Sequence, residues 1–197
     1  MTFIKTNFSS FEEYLTEEEA HLPEGRCEYW DGKLVPVPTE SLGHDSIANY
    51  LLFLLFQAGI DYSLVSPGKV EVEVIGRPRT RFPDLPVLND VHLVLLSRRA
   101  TVTCEMPPPR IVVEVVSLCD ENSDEYLRDY QIKRDQYAAI GIPEYWLIDS
   151  DRAWVMVGTL SNGQYQFTTF RGDEPIVSST FLNLTLTAAQ ILRAQRY

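Results

Sequence analysis

The sequence predicts one α/β domain with a central β-sheet covered by helices. Three observations carry this: a strand–loop–helix–strand unit from Arg110 to Asp149, two hairpins marked by tight-turn residues, and an apolar helix pattern between them. In the central unit, Ile111, Val112, Val113, Val115 and Val116 form an almost continuous β-branched run, the composition of a strand buried on both faces. From Glu125 to Ile140 the spacing turns helical. At about 100° per residue, Tyr126, Tyr130, Tyr137 and Ile140 share one stripe, with Lys133 inside it. Gly141 and Pro143 end that helix, and Glu144 to Asp149 starts the next strand. Glu114 and Lys133 are thus two charges aimed at a packed interface, where an unpaired charge is costly.

The remaining elements follow in chain order. Ser10 with Glu13 fits a capping box, opening a helix over 10–20. Asp31-Gly32 between CEYW and KLVPV is a hairpin turn, and strand alternation puts Glu28 on the Trp30 face. Ile47, Tyr50, Leu51, Leu54 and Leu55 repeat at helical spacing from Asp45 to Ala58, before Gly59. Tyr62–Ser66 and Lys69–Ile75 read as strands joined at Pro67-Gly68, and Phe82–Leu88 as a strand carrying Asp84. Pro83 and Pro86 lack an N–H, so that strand belongs at an edge, a bulge or a frayed end. Asn89–Arg99 reads as a strand or peripheral insertion. Ala153–Leu160 and Gln164–Arg171 form a second hairpin, and Thr187–Arg193 a final helix. The expected organisation is a single domain over 1–197 with its core in 24–171 and the helices at 10–20 and 187–193 peripheral.

With 197 residues, 45% of them hydrophobic, the chain can bury a sizeable core. No apolar run approaches the roughly 20 residues of a membrane span, and MTFIKTNFSSFEEY has no secretory h-region, so a cytoplasmic location is expected. Cys27, Cys104 and Cys119 have neither disulfide-framework nor zinc-site spacing. The net charge of −11 argues against nonspecific nucleic-acid binding driven by phosphate contacts, although Arg77, Arg79 and Arg81 crowd one segment and Arg98 and Arg99 another. The first three are either phosphate clamps or part of a solvated loop.

If the Asp84 and Glu114 strands are neighbours and the following helix covers them, Asp84, Glu114 and Lys133 meet at one point. Two oxygen ligands suit a hard cation such as Mg²⁺ or Mn²⁺, and a lysine there could orient water or stabilise a charged phosphorane. A buried Glu114–Lys133 ion pair, with Asp84 a turn residue, accounts equally for the same pattern. Glu28 is a further carboxylate candidate. His44 is either an accessory group or a capping residue, and Ser117 either supports the site or closes the strand. Tyr126, Tyr130 and Tyr137 either line the core or stack on bases.

Pro83-Asp84, then Val113-Glu114-Val115-Val116-Ser117, then Lys133, Tyr137, Gly141-Ile142-Pro143-Glu144-Tyr145-Trp146 and Asp149 resemble the Uma family. That is a bacterial group described as "putative restriction endonucleases" within the PD-(D/E)XK nuclease superfamily. Glu28, Asp31-Gly32 and His44 resemble its N-terminal pattern. The resemblance spans roughly Glu28 to Asp149 and implies a restriction-endonuclease-like core: a mixed central sheet flanked by helices, here with extra hairpins. It also implies Asp84, Glu114 and the Val115 carbonyl as ligands of Mg²⁺ or Mn²⁺, and DNA as substrate. The superfamily lysine two residues after the glutamate is replaced by Val116. In the Uma pattern a helix lysine takes that role, and Lys133 matches it. The alternative is a noncatalytic module that keeps the fold. Apolar hairpins around Trp30 and Trp154 further suggest a homodimer.

Overall fold

The β-branched run at the centre of the sequence forms a strand whose six residues are all buried, and the other elements are arranged around it. The computed structural model describes residues 4–38, 42–116 and 119–194. Ser10 caps a short helix, α1 (Phe11–Thr16), its hydroxyl accepting from the Glu13 N–H. The Glu13 carboxylate takes the Ser9 N–H rather than closing the box on Ser10. The helix expected to reach residue 20 stops at Thr16, because Glu17 turns extended, and Glu19–His21 is a separate 3-10 turn. Asp31 and Gly32 adopt φ of 44° and 87°, the primed-turn geometry that joins β1 (Cys27–Trp30) to β2 (Lys33–Pro36). Helix α2 (Leu42–Gln57) buries Ile47, Ala48, Leu51, Leu54 and Leu55.

In the next stretch one expectation fails and one open alternative is decided. The strand expected at Tyr62–Ser66 is a 3-10 turn over Tyr62–Leu64, set by the Asp61 carboxylate accepting the Ser63 N–H. The Asn89–Arg99 segment contains α3 (His92–Leu95) rather than a strand, anchored through the His92 ring, which lies 2.7 Å from the Pro107 carbonyl. Between and after them come β3 (Glu71–Glu73), β4 (Thr80–Arg81), β5 (Leu85–Val87) and β6 (Thr101–Val102). Strands β4-β3-β6 make a small sheet of their own.

The main sheet is mixed, with β5 at one edge, then β7 (Ile111–Val116), β8 (Glu144–Asp149), β9 (Trp154–Ser161) and β10 (Gln164–Phe170). β7 and β8 run parallel, and the other neighbours are antiparallel. Pro86 pairs with Val112 from the edge strand, where its missing N–H leaves no interior ladder broken. The crossover from β7 to β8 is one helical path in three parts: α4 (Asp124–Leu127), a wide π turn over Arg128–Ile132, and α5 (Lys133–Ala139).

Alternation along β7 divides the core. Val113 and Val115 pack with Trp146, Ile148, α2 and α6 (Ala188–Leu192), whereas Val112 and Val116 pack with Tyr137 of α5, Tyr145 and Val72 of the small sheet. A third cluster joins Phe8, Phe11 and Tyr14 to Cys27, Tyr29 and Leu34 of the first hairpin. Helix α6 corrects the expected core boundary at residue 171. Ala188 and Ile191 are fully buried, and Ile176, Leu184 and Leu186 lead to them as core residues. Their irregular spacing carries no period that sequence reading could detect. Among the described residues no helix is long and apolar enough to cross a membrane.

Candidate active site

Since Val113 and Val115 face α2, Glu114 faces the opposite way, toward α5, and is 1% exposed. The β5–β7 register pairs Leu85 with Val113, and one step beyond that pair Asp84 comes opposite Glu114. Asp84 ends the ladder with its side chain, Oδ2 accepting the Val115 N–H at 2.7 Å. Lys133 opens α5 directly after the π turn, and its Nζ lies 2.8 Å from Glu114 Oε2 and 3.2 Å from Asp129 Oδ1. One turn on, the Tyr137 hydroxyl donates to Glu114 Oε1 at 2.7 Å. The wide turn is the kind of helix irregularity that recurs at functional sites.

The electrostatics follow from this crowding. Burial pulls the Lys133 pKa down, but Glu114, Asp129 and Asp84 together outweigh it and hold the pKa above the ordinary lysine value. Lys133 is therefore a fixed ammonium, and the Asp84 carboxylate is near enough to act on it. Burial raises the Glu114 pKa against the opposing pull of Lys133 and the Tyr137 hydroxyl. Burial pushes Asp129 in the same direction, yet hydrogen bonds from Arg128 at 3.0 Å and the Lys133 charge keep its pKa below the usual value.

The structure brings Asp84, Glu114 and Lys133 into one cluster and adds Asp129, which the sequence reading passed over. Its spacing four residues before Lys133 was the available signal, because such pairs meet on a helix face. Glu28 belongs to an adjoining network. Its carboxylate lies 3.0 Å from Arg81, whose Nε donates to Gln136 of α5 at 2.9 Å, and it also acts on Arg128. His44 stands half-buried in the first turn of α2, the helix that packs on the other face of the sheet. Each of the three expected phosphate-binding arginines has its own carboxylate: Arg77 with Asp31 at 3.0 Å, Arg79 with Glu73 at 2.9 Å, and Arg81 with Glu28. Arg81 is buried at 2% exposure. Tyr137 is core, whereas Tyr126 and Tyr130 stack on each other with ring centroids 4.3 Å apart. Ser117 lies outside the described residues.

Whether a hard cation fits here depends on the donors. Among the described residues no group of three or more His, Cys, Asp or Glu side chains is arranged to hold a metal ion. The candidate set is therefore two carboxylates, Asp84 and Glu114, with the Val115 carbonyl. These are hard oxygen donors of the type Mg²⁺ and Mn²⁺ take, leaving most coordination positions to water and phosphate. A carboxylate has about four acceptor positions, and Lys133 and Tyr137 use two of those on Glu114. The donor chemistry fits.

Three comparisons bear on kinship. A search of curated proteins finds no match. Among solved structures, the chain is similar to one described as a "putative nuclease belonging to DUF820" from Anabaena variabilis ATCC 29413, with a TM-score of 0.66 and 16% identity. The match covers 95% of this chain and 99% of that one, and at such identity it establishes a shared fold. The family model for Uma2, described as "Putative restriction endonuclease", matches residues 11–189. That span takes in all three sheets, the crossover helix and the acid–lysine cluster, and on it the chain belongs to the Uma2 family.

Proposed function

We propose that the protein is a cytoplasmic, divalent-metal-dependent endonuclease that hydrolyses DNA phosphodiester bonds at the Asp84–Glu114–Lys133 cluster. The observation that carries the reading is the buried Lys133–Glu114 contact at 2.8 Å, with Asp84 opposite Glu114 across the β5–β7 ladder. Asp84, Glu114 and the Val115 carbonyl would hold Mg²⁺ or Mn²⁺, which supplies Lewis-acid polarisation of a phosphoryl oxygen and of water. Lys133, kept protonated by its three acidic neighbours, acts as a donor that orients the nucleophile or stabilises phosphorane charge. It cannot take the water's proton, which must pass to a carboxylate or phosphate oxygen. Tyr137 fixes the Glu114 carboxylate against rotation.

The test is cleavage of plasmid and of single-stranded DNA with Mg²⁺ or Mn²⁺. Wild type should cut, Asp84→Ala and Glu114→Gln should be inactive, and Lys133→Met should fall by about 100-fold. Wild-type activity no higher than that of the variants would overturn the assignment. A second reading, a binding module without catalysis, is favoured by the protein partners that Glu114 and Lys133 already hold. Calorimetric titration separates the two: Mn²⁺ binding abolished in Glu114→Gln supports the metal site, and silence in wild type supports the module. The homodimer reading is supported by Leu42, Phe53 and Phe56, exposed along α2. Sedimentation showing a monomer at all concentrations would end it.

A further inference from the structure

A cleft of about 730 Å³ opens beside the candidate active site. Arg26, Gly68 and Phe82 form part of its wall, and two of them also touch Asp84. The Gly68 N–H donates to the Asp84 carbonyl at 2.9 Å, and the Arg26 guanidinium lies 3.9 Å from Asp84 Oδ1. The cleft thus shares two wall residues with the surroundings of Asp84, while Asp84, Glu114 and Lys133 themselves stand behind its lining. Lys69 and Arg98 also line it; both are exposed, and among the described residues neither pairs with a carboxylate. In a chain of net charge −11 such uncommitted cations are informative. The arginines at 77, 79 and 81 are all paired, so they are not the ones left over.

The cleft lining is electrically uneven. Glu17, Glu18 and Glu19 contribute to it as well, and of these Glu17 is engaged by Lys5 at 2.7 Å and His21 at 2.8 Å. Glu18 and Glu19 remain as a negative edge. One phosphate backbone can follow Arg26, Lys69 and Arg98, but a second would meet those acids. The volume lies within the range of about 300–1,000 Å³ typical of pockets for small ligands, which suits a short stretch of strand rather than a duplex.

We propose that this cleft binds one strand of the nucleic-acid substrate, with Arg26, Lys69 and Arg98 contacting backbone phosphates on the way to Asp84. The inference rests on the endonuclease reading for the reaction served, but strand binding can be tested apart from cleavage. Fluorescence anisotropy of a labelled single-stranded oligonucleotide, read without metal at low salt, measures binding alone. The Lys69→Ala/Arg98→Ala double variant should bind about tenfold more weakly. Its plot of log affinity against log salt should be shallower by about 1.4, since each phosphate contact on a single strand contributes about 0.7. Arg193→Ala, outside the cleft, should bind as wild type does, and a duplex of the same sequence should bind less tightly than the strand.

Plasmid cleavage by the same proteins distinguishes the two failures. If wild type cuts but the double variant binds the strand unchanged, the cleft assignment falls and the nuclease reading survives. If wild type does not cut but the double variant loses strand affinity and salt slope, the nuclease reading falls and the cleft assignment survives. Tighter binding of duplex than of strand, or an equal loss in Arg193→Ala, also overturns the cleft assignment.

Discussion

Glu114 and Glu144 are both buried carboxylates on neighbouring strands, 1% and 0% exposed, and they are satisfied in opposite ways. Glu144 accepts from neutral donors: the Trp146 indole, the Ser178 hydroxyl at 3.1 Å, the Ser179 N–H and hydroxyl at 2.8 Å, and the Thr180 N–H at 2.9 Å. Two of those donors are backbone N–H groups, and the carboxylate pins the 178–180 turn to the start of β8. Glu114 instead meets an ammonium and a phenol, with a second acid opposite. Five donors leave the Glu144 carboxylate little room for a ligand, whereas the two on Glu114 leave acceptor positions open. Burial alone does not identify chemistry; the partner does.

The comparison can be broken most directly at Glu144. Glu144→Ala strands several buried donors and should cost about 3 kcal/mol, read by urea denaturation, while the folded fraction keeps its cleavage rate. Loss of cleavage with stability intact would make Glu144 part of the chemistry and collapse the distinction. Lys133→Met comes next. Breaking a buried pair costs about 3–5 kcal/mol, but Lys133 retains 16% side-chain exposure, so about 2 kcal/mol is expected here. Glu114→Gln is milder still. Lys133 keeps Asp129 at 3.2 Å and Tyr137 keeps an acceptor, so stability should stay within about 1 kcal/mol while Mn²⁺ binding disappears. A large loss of stability in that variant would mark Glu114 as structural, like Glu144.

The same contrast explains what the sequence made legible. The β-branched run, the Asp-Gly hairpin and the edge strand with Pro86 were readable because each rests on local chemistry: side-chain shape, a positive φ, a missing N–H. The inward face of Lys133 was readable from helical period, and Glu114 stood out against its valines. Asp129 was missed although its place four residues before Lys133 offered a signal, and the paired state of Arg77 and Arg81 depends on carboxylates distant in sequence, whereas Arg79 takes Glu73 from the adjoining strand. One stretch that carried the resemblance, Gly141 to Asp149, proves largely architectural. Gly141 adopts φ 80°, the Ile142 carbonyl accepts from Tyr165 at 2.8 Å, and Asp149 accepts the Arg152 N–H at 2.7 Å. A motif identifies a fold through its tightest joints, and those need not be its reactive atoms.

The smallest expected effect is also the most discriminating. Burial raises the Glu114 pKa, so in the metal-free folded protein the protonated carboxyl is favoured over its unfolded reference. A group shifted in that direction contributes stability that is fully present below the unfolded pKa and lost as pH rises through the folded one. Glu114→Gln removes this titration and keeps the shape. Wild type should therefore lose thermal stability relative to Glu114→Gln as pH climbs from the ordinary glutamate range upward through the raised folded-state pKa. Added Mn²⁺ should reverse the trend in wild type alone, because a cation binds the ionised carboxylate and releases its proton. Paired melting curves across that pH range, with and without Mn²⁺, provide the measurement. A difference flat with pH would mean that Lys133 holds Glu114 ionised throughout, so that the cluster is an ordinary ion pair with no proton for a metal to displace.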